Sequence, residues 1–121
     1  MKKLVFFVLF VGLIISGVFA QDALLSYDVN LPSVYDSEIF VDEAVRATIY
    51  YFRRYTPRVV SNDGDNAIVQ VQYGRHPVTV TITTGNRNNI AIESSARSSQ
   101  IIKWLSNLDK NIRHSIAKHY L

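Results

Sequence analysis

The sequence predicts an α+β domain: strand, helix, antiparallel β-meander and long C-terminal helix, with both helices on one face of a four- to five-stranded sheet. Three observations carry that prediction. Uncharged runs such as Ala67 to Tyr73 and Val78 to Thr84 alternate apolar and polar residues with the two-residue period of a half-buried strand. Segments starting at Ser37 and Ser98 instead space their apolar residues by three and four, as a helix with one buried stripe does. Short turns rich in Gly and Asn join the alternating runs, which suits hairpins and leaves no length for crossover helices.

In chain order, residues 1 to 20 come first and stand apart. Lys2 and Lys3 precede an apolar run from Leu4, and small residues lie three and one positions before Gln21, which is the pattern of a secretory signal peptide cleaved after Ala20. The alternative is a retained anchor, because the run approaches the roughly 17 to 25 residues that span a bilayer. Residues 21–36 form an extended segment with an edge strand at Leu25 to Leu31, where apolar and polar residues alternate up to Pro32. Residues 37–121 supply helix, meander and helix, and together with the edge strand make a single domain.

The first helix is capped by Asp36 or Ser37, carries Glu38, Asp42 and Glu43 near its positive end and Arg53 and Arg54 near its negative end, and is stopped by Pro57. Its inward stripe reads Val41, Ala44 or Val45, Thr48, Phe52 and Tyr55, with Ile49 widening it and Asp42 and Arg46 paired on the outer side. The β-branched and aromatic cluster from Thr48 to Phe52 has modest helix propensity, so packing must hold this end.

Val59 to Ser61 and Ala67 to Tyr73 form a hairpin around the turn residues Asn62 to Asn66. Gly74 to Pro77 and Gly85 to Asn88 then turn the chain into strands at Val78 to Thr84 and Asn89 to Glu93. The final helix, Ser98 to Tyr120, aligns Ile101, Leu105, Leu108, Ile112 and Ile116, with Trp104 beside them and Ser98 or Ser99 as cap.

If both helices cover one face, Val69, Val71, Tyr73, Val78, Val80, Ile82, Ile90 and Ile92 point inward. Gln70, Gln72, Thr79, Thr81, Thr83, Ala91 and Glu93 then form the uncovered face. Threonine keeps strand propensity while its hydroxyl keeps that face wet.

Composition bounds the function. With no cysteine, neither a diacylglyceryl anchor nor a disulfide can form, and the 101 residues after Ala20 must be held by one core. Removing Lys2 and Lys3 leaves 11 basic residues against 10 acidic ones, a net charge of +1 that disfavours nucleic acid. Charge is polarised along the chain: Asp22, Asp28, Asp36, Glu38, Asp42 and Glu43 come without an intervening base, then Arg46, Arg53, Arg54 and Arg58 without an acid.

The order of elements, with VDEAVRATIYYFRRY as helix and PRVVSNDGDNAIVQVQYG as hairpin, resembles small bacterial envelope domains, many of them lipoproteins of unknown function. The resemblance spans Leu25 to Tyr120 and implies the fold, without a catalytic site. The missing cysteine departs from the lipoprotein pattern and so from membrane tethering by lipid.

Motifs for chemistry are sparse, and no cofactor or metal is expected. Asn62 to Asn66 has calcium-like donors, but position 12 of an EF-hand loop would fall on Tyr73 or Gly74, so it reads as a turn. Three histidines without cysteine make no zinc set. A small secreted hydrolase of ribonuclease type could use Glu93 as base, His76 as acid and Arg75 or Arg87 on phosphate.

The preferred reading is a periplasmic or extracellular binding domain whose partner is a protein or other envelope macromolecule. Contact would run through Thr79, Thr81, Thr83, Gln70 and Gln72, or through Arg46, Tyr50 and Arg53 on the first helix. The stripe Lys103, Lys110, His114 and Lys118 offers contact with an anionic membrane surface. Self-assembly is the further alternative, since AIVQVQY and VTVTITT are uncharged and free of proline.

Overall fold

A computed structural model describes residues 22–31 and 37–120. The segment expected to be a signal peptide, its expected junction after Ala20, the expected strand terminator Pro32 and the candidate cap Asp36 lie outside the described residues. The elements are β1 (Ala23–Asp28), α1 (Ser37–Tyr51), a 3-10 turn (Arg53–Tyr55), β2 (Arg58–Asn62), β3 (Asn66–Tyr73), β4 (His76–Thr83), β5 (Asn89–Ser94) and α2 (Ser98–Tyr120). The fold is α+β, as the sequence predicts.

One antiparallel sheet has the strand order β1-β5-β4-β3-β2. Strands β2 to β5 are a meander, and β1 returns to pair with β5, so that β1 and β2 are the two edges. In the first turn, Asn62 Oδ1 accepts from Gly64 N at 3.0 Å, and Asp63 Oδ1 accepts from Asp65 N and Asn66 N at 2.9 and 2.7 Å. The Asn62 and Asp63 side chains thus close the turn on its own backbone, and Gly64 supplies the positive φ of 89° that the turn needs.

The inner face is the one the alternation assigns: Val69, Val71, Val78, Val80, Ile82, Ile90 and Ile92 are buried. Helix α1 packs on β3 and β4, and α2 on β5 and β1. The helices run antiparallel, because Asn107 Nδ2 donates to Tyr51 OH (3.1 Å) and, eight residues on along α2 and eight back along α1, Ser115 Oγ donates to Glu43 Oε1 (2.5 Å). Phe52 and Tyr73 both meet the Trp104 ring edge-on, at 5.6 and 5.0 Å, which ties α1, the sheet and α2 at one end of the core.

Several expectations are corrected. Strand β1 covers Ala23–Asp28 rather than Leu25 to Leu31, because its partner β5 ends the ladder at Asn89; Val29 N still donates to Asn88 O at 2.7 Å. Helix α1 ends at Tyr51, six residues before Pro57, so Arg53 and Arg54 lie in the 3-10 turn, followed by Thr56 in a left-handed conformation (φ 47°). Ile49 is 37% exposed and does not widen the buried stripe, whereas Glu43, which the inward stripe left out, is buried at 3%. The inward stripe leans toward α2, a direction set by the neighbouring helix. The carbonyl of Arg97 accepts from Gln100 N and Ile101 N, which puts Arg97 rather than Ser98 or Ser99 at the cap of α2.

Candidate functional site

The outer face of the sheet has no helix over it among the described residues. Strand register aligns its side chains in rows. The central row crosses five strands as Ser26, Ala91, Thr81, Ile68 and Ser61. One flanking row is Leu24, Glu93, Thr79, Gln70 and Arg58, and the other is Asp28, Asn89, Thr83 and Asn66. The middle row consists of short side chains around one isoleucine, which keeps the surface low there, and the face deepens at one corner. That corner is a depression of about 390 Å³ lined by Thr56, Arg58, Gln70, Gln72, Pro77 and Thr79.

All seven residues assigned to this face by alternation, Ala91 and Glu93 among them, lie on it. Gln70 and Gln72 are exposed, and Thr79, Thr81 and Thr83 are partly covered by their neighbours. Two have local partners: Arg58 Nη2 donates to Gln70 Oε1 at 3.1 Å, and Gln72 Nε2 donates to Gly74 O at 3.0 Å. The three threonine side chains make no hydrogen bond among the described residues. Sequence reasoning left Ile68 and Leu24 off this face. Ile68 lies between the inward Ala67 and Val69 and so must point out, a signal already present in the alternation of the expected strand, whose inward set was begun only at Val69.

The hydrolase residues are spread apart. Glu93 points to the open face and His76, in step with Val78 and Val80, to the covered one. His76 Nδ1 lies 2.8 Å from Ser95 Oγ. Arg87 is at the opposite end of β5 from Glu93, where Nη1 contacts Asp28 Oδ2 at 2.9 Å. Four residues of strand separate Asn89 from Glu93, about 13 Å. Partial burial and the nearby Asp22 raise the Glu93 pKa above the usual glutamate value. Hydrogen bonds from Asn89 and Arg87 lower that of Asp28. No cluster of three or more His, Asp or Glu suited to a metal occurs among the described residues.

The second surface is the outside of the helical layer. Arg46 and Tyr50 from α1 share a valley of about 310 Å³ with Asn111, His114, Ser115 and His119 from α2, over a floor of Glu43 and Ala47. Tyr50 is 65% exposed, and the Arg53 guanidinium sits over its ring at 4.3 Å while donating to the Tyr50 carbonyl at 2.9 Å. Tyr51, adjacent in sequence, turns the other way, edge-on to Phe52 at 5.0 Å. The sequence offered Arg46, Tyr50 and Arg53 as one patch and Lys103, Lys110, His114 and Lys118 as another. The antiparallel helix pair puts both on one side of the molecule. The Glu43–Ser115 bond was invisible in sequence, since 72 residues separate its ends.

No described helix is long and apolar enough to cross a membrane. The chain matches no protein-family model, and no curated protein is similar to it at a significant level.

Proposed function

We propose that this chain is a small, non-enzymatic binding domain that engages a protein or other envelope macromolecule through its open sheet face. The observation that carries the reading is the row Ser26, Ala91, Thr81, Ile68 and Ser61, an uncharged strip across all five strands with no helix or strand above it among the described residues. Such a strip lets a partner approach closely, buries little charge, and offers hydroxyls and two glutamines for orientation. The separation of Glu93 and His76 onto opposite faces supports binding over acid–base chemistry.

The domain acts outside the cytoplasm, in the periplasm or beyond, after cleavage at Ala20. Mass spectrometry of the protein from expressing cells checks this: an N-terminus at Gln21 is expected, and an intact Met1 or Lys2 in the membrane fraction refutes it. Thr81→Lys tests the surface. An ammonium at the centre of a buried contact loses its hydration without gaining a partner, so capture of the bound macromolecule should fall by an order of magnitude or more. The denaturation midpoint should stay put. Unchanged capture defeats the proposal.

A further inference from the structure

We infer that the outer surface of the helical layer docks on an anionic phospholipid bilayer, leaving the open sheet face turned away from it. The first support is charge. On α2, Lys103, Lys110, His114 and Lys118 are exposed, fall on outward helical positions, and have no carboxylate partner among the described residues. On α1 and the following turn, Arg46 and Arg53 point the same way beside Tyr50.

Acids near this surface are already engaged. Asp42 pairs with Arg46 at 3.3 Å and Asp109 with Arg113 at 2.6 Å, each one helical turn apart. Glu43 lies under the valley and takes the Ser115 hydroxyl. Glu38 sits by Gly64 in the β2–β3 turn, at the edge of the molecule. The net field of this side is therefore positive.

The second support comes from the opposite side. On the sheet side the acids Asp22, Asp28 and Glu93 are offset by Arg58 and by Arg87, which pairs with Asp28 at 2.9 Å, so that side is close to neutral and a negatively charged plane attracts one broad surface far more than the other, which favours one orientation. The third is shape and chemistry. Two antiparallel helices lie side by side, so their lysines and arginines can reach a plane together. Long cationic side chains and an exposed tyrosine suit the headgroup layer, where charge meets phosphate and a ring sits at the boundary. An acidic protein would meet the charge, but the lysines are strung along two-thirds of the helix at positions 103, 110 and 118, a spread that a plane of headgroups matches along its whole length.

The chain has no native cysteine, so single-cysteine labels can report orientation in the full-length protein. Asn111→Cys marks the helical side and Gln70→Cys the sheet side, both at exposed positions. On vesicles of 30% phosphatidylglycerol in phosphatidylcholine, quenching of the Asn111 label by neutral acrylamide should fall about threefold or more, and that of the Gln70 label should not change. Pure phosphatidylcholine should protect neither.

Replacing Lys103, Lys110 and Lys118 by Gln should weaken partition onto the anionic vesicles about a hundredfold, roughly fivefold per charge. If the apolar amino-terminal segment holds the chain on the vesicle regardless, the same variant should lose protection at Asn111. Equal quenching at the two labels overturns the proposal, as does protection at Gln70 alone. The first outcome leaves the helical surface to an acidic protein; the second turns the sheet toward lipid and also removes the face proposed above for a macromolecular partner.

Discussion

The two broad surfaces of this domain differ in side-chain length as much as in charge. Across the open sheet the central row is Ser, Ala, Thr, Ile and Ser, held by strand register, whereas the helical surface ends in lysines and arginines that carry their charge on long stems. A surface of short, ordered groups discriminates by shape and hydrogen bonding. A surface of long cations recognises charge density and tolerates variation in its partner. One layer of secondary structure thus suits a specific contact, and the other a plane of headgroups.

The largest expected effect separates the two faces of a single strand. Ile82→Ala removes a fully buried side chain from the covered face of β4 and should cost about 2 to 5 kcal/mol, while Thr81→Ala on the open face should stay within about 0.5 kcal/mol. Urea melts of both variants check this, and similar costs would mean that the open face is also packed. Ser115→Ala comes next. It leaves the buried Glu43 carboxylate without its hydroxyl donor and should cost about 1 to 3 kcal/mol. A neutral result would show that water reaches the valley floor.

Smaller effects appear in the pH dependence of the sheet side. Asp28 has its pKa lowered in the folded state, so its contribution is present above the unfolded value and is lost as pH falls through the folded one; Asp28→Asn should be less stable than the parent at pH 7 and converge with it in acid. Glu93 has the opposite sign. Its raised pKa favours folding with the proton bound, and that contribution disappears as pH rises through the folded pKa, so Glu93→Gln should match the parent at low pH and exceed its stability at pH 7. Thermal melts from pH 3 to 7 distinguish the two, and parallel curves would contradict the assigned environments. Lys110→Ala on the helical surface should change stability least, within about 0.5 kcal/mol.

What was legible in the sequence follows from range. Alternation is a local property, so Val69, Val80, Ile90 and their neighbours reveal the covered face, and the same pattern places Thr79, Thr81 and Thr83 opposite. Burial of Glu43 and exposure of Ile49 are decided by where α2 lies against α1, and no local spacing in α1 encodes that. The end of α1 was misplaced because Pro57 forbids continuation but does not mark where the helix gives up its last hydrogen bond. The joining of the Arg46 and Lys103 patches likewise depends on two helices meeting from opposite ends of the chain. Glu93, His76 and Arg87, which a catalytic reading groups by type, already fall at opposite strand ends in the sequence, and strand register adds that Glu93 and His76 face opposite sides of the sheet.

Pairing of β1 with β5 has a consequence for how the chain acquires its structure. Asp28 meets Asn89 and Ala23 meets Ser94, partners 61 and 71 residues apart, whereas every other strand pair joins neighbours through a short turn. Closing that long loop is entropically the most expensive step of the sheet and gains nothing until β5 has joined the meander, so β1 should be the last strand protected in pulsed hydrogen exchange. During synthesis the order is reversed. The first strand emerges first, and at about 5 to 20 residues per second it waits roughly 3 to 12 s for its partner, with Leu25 and Tyr27 uncovered throughout.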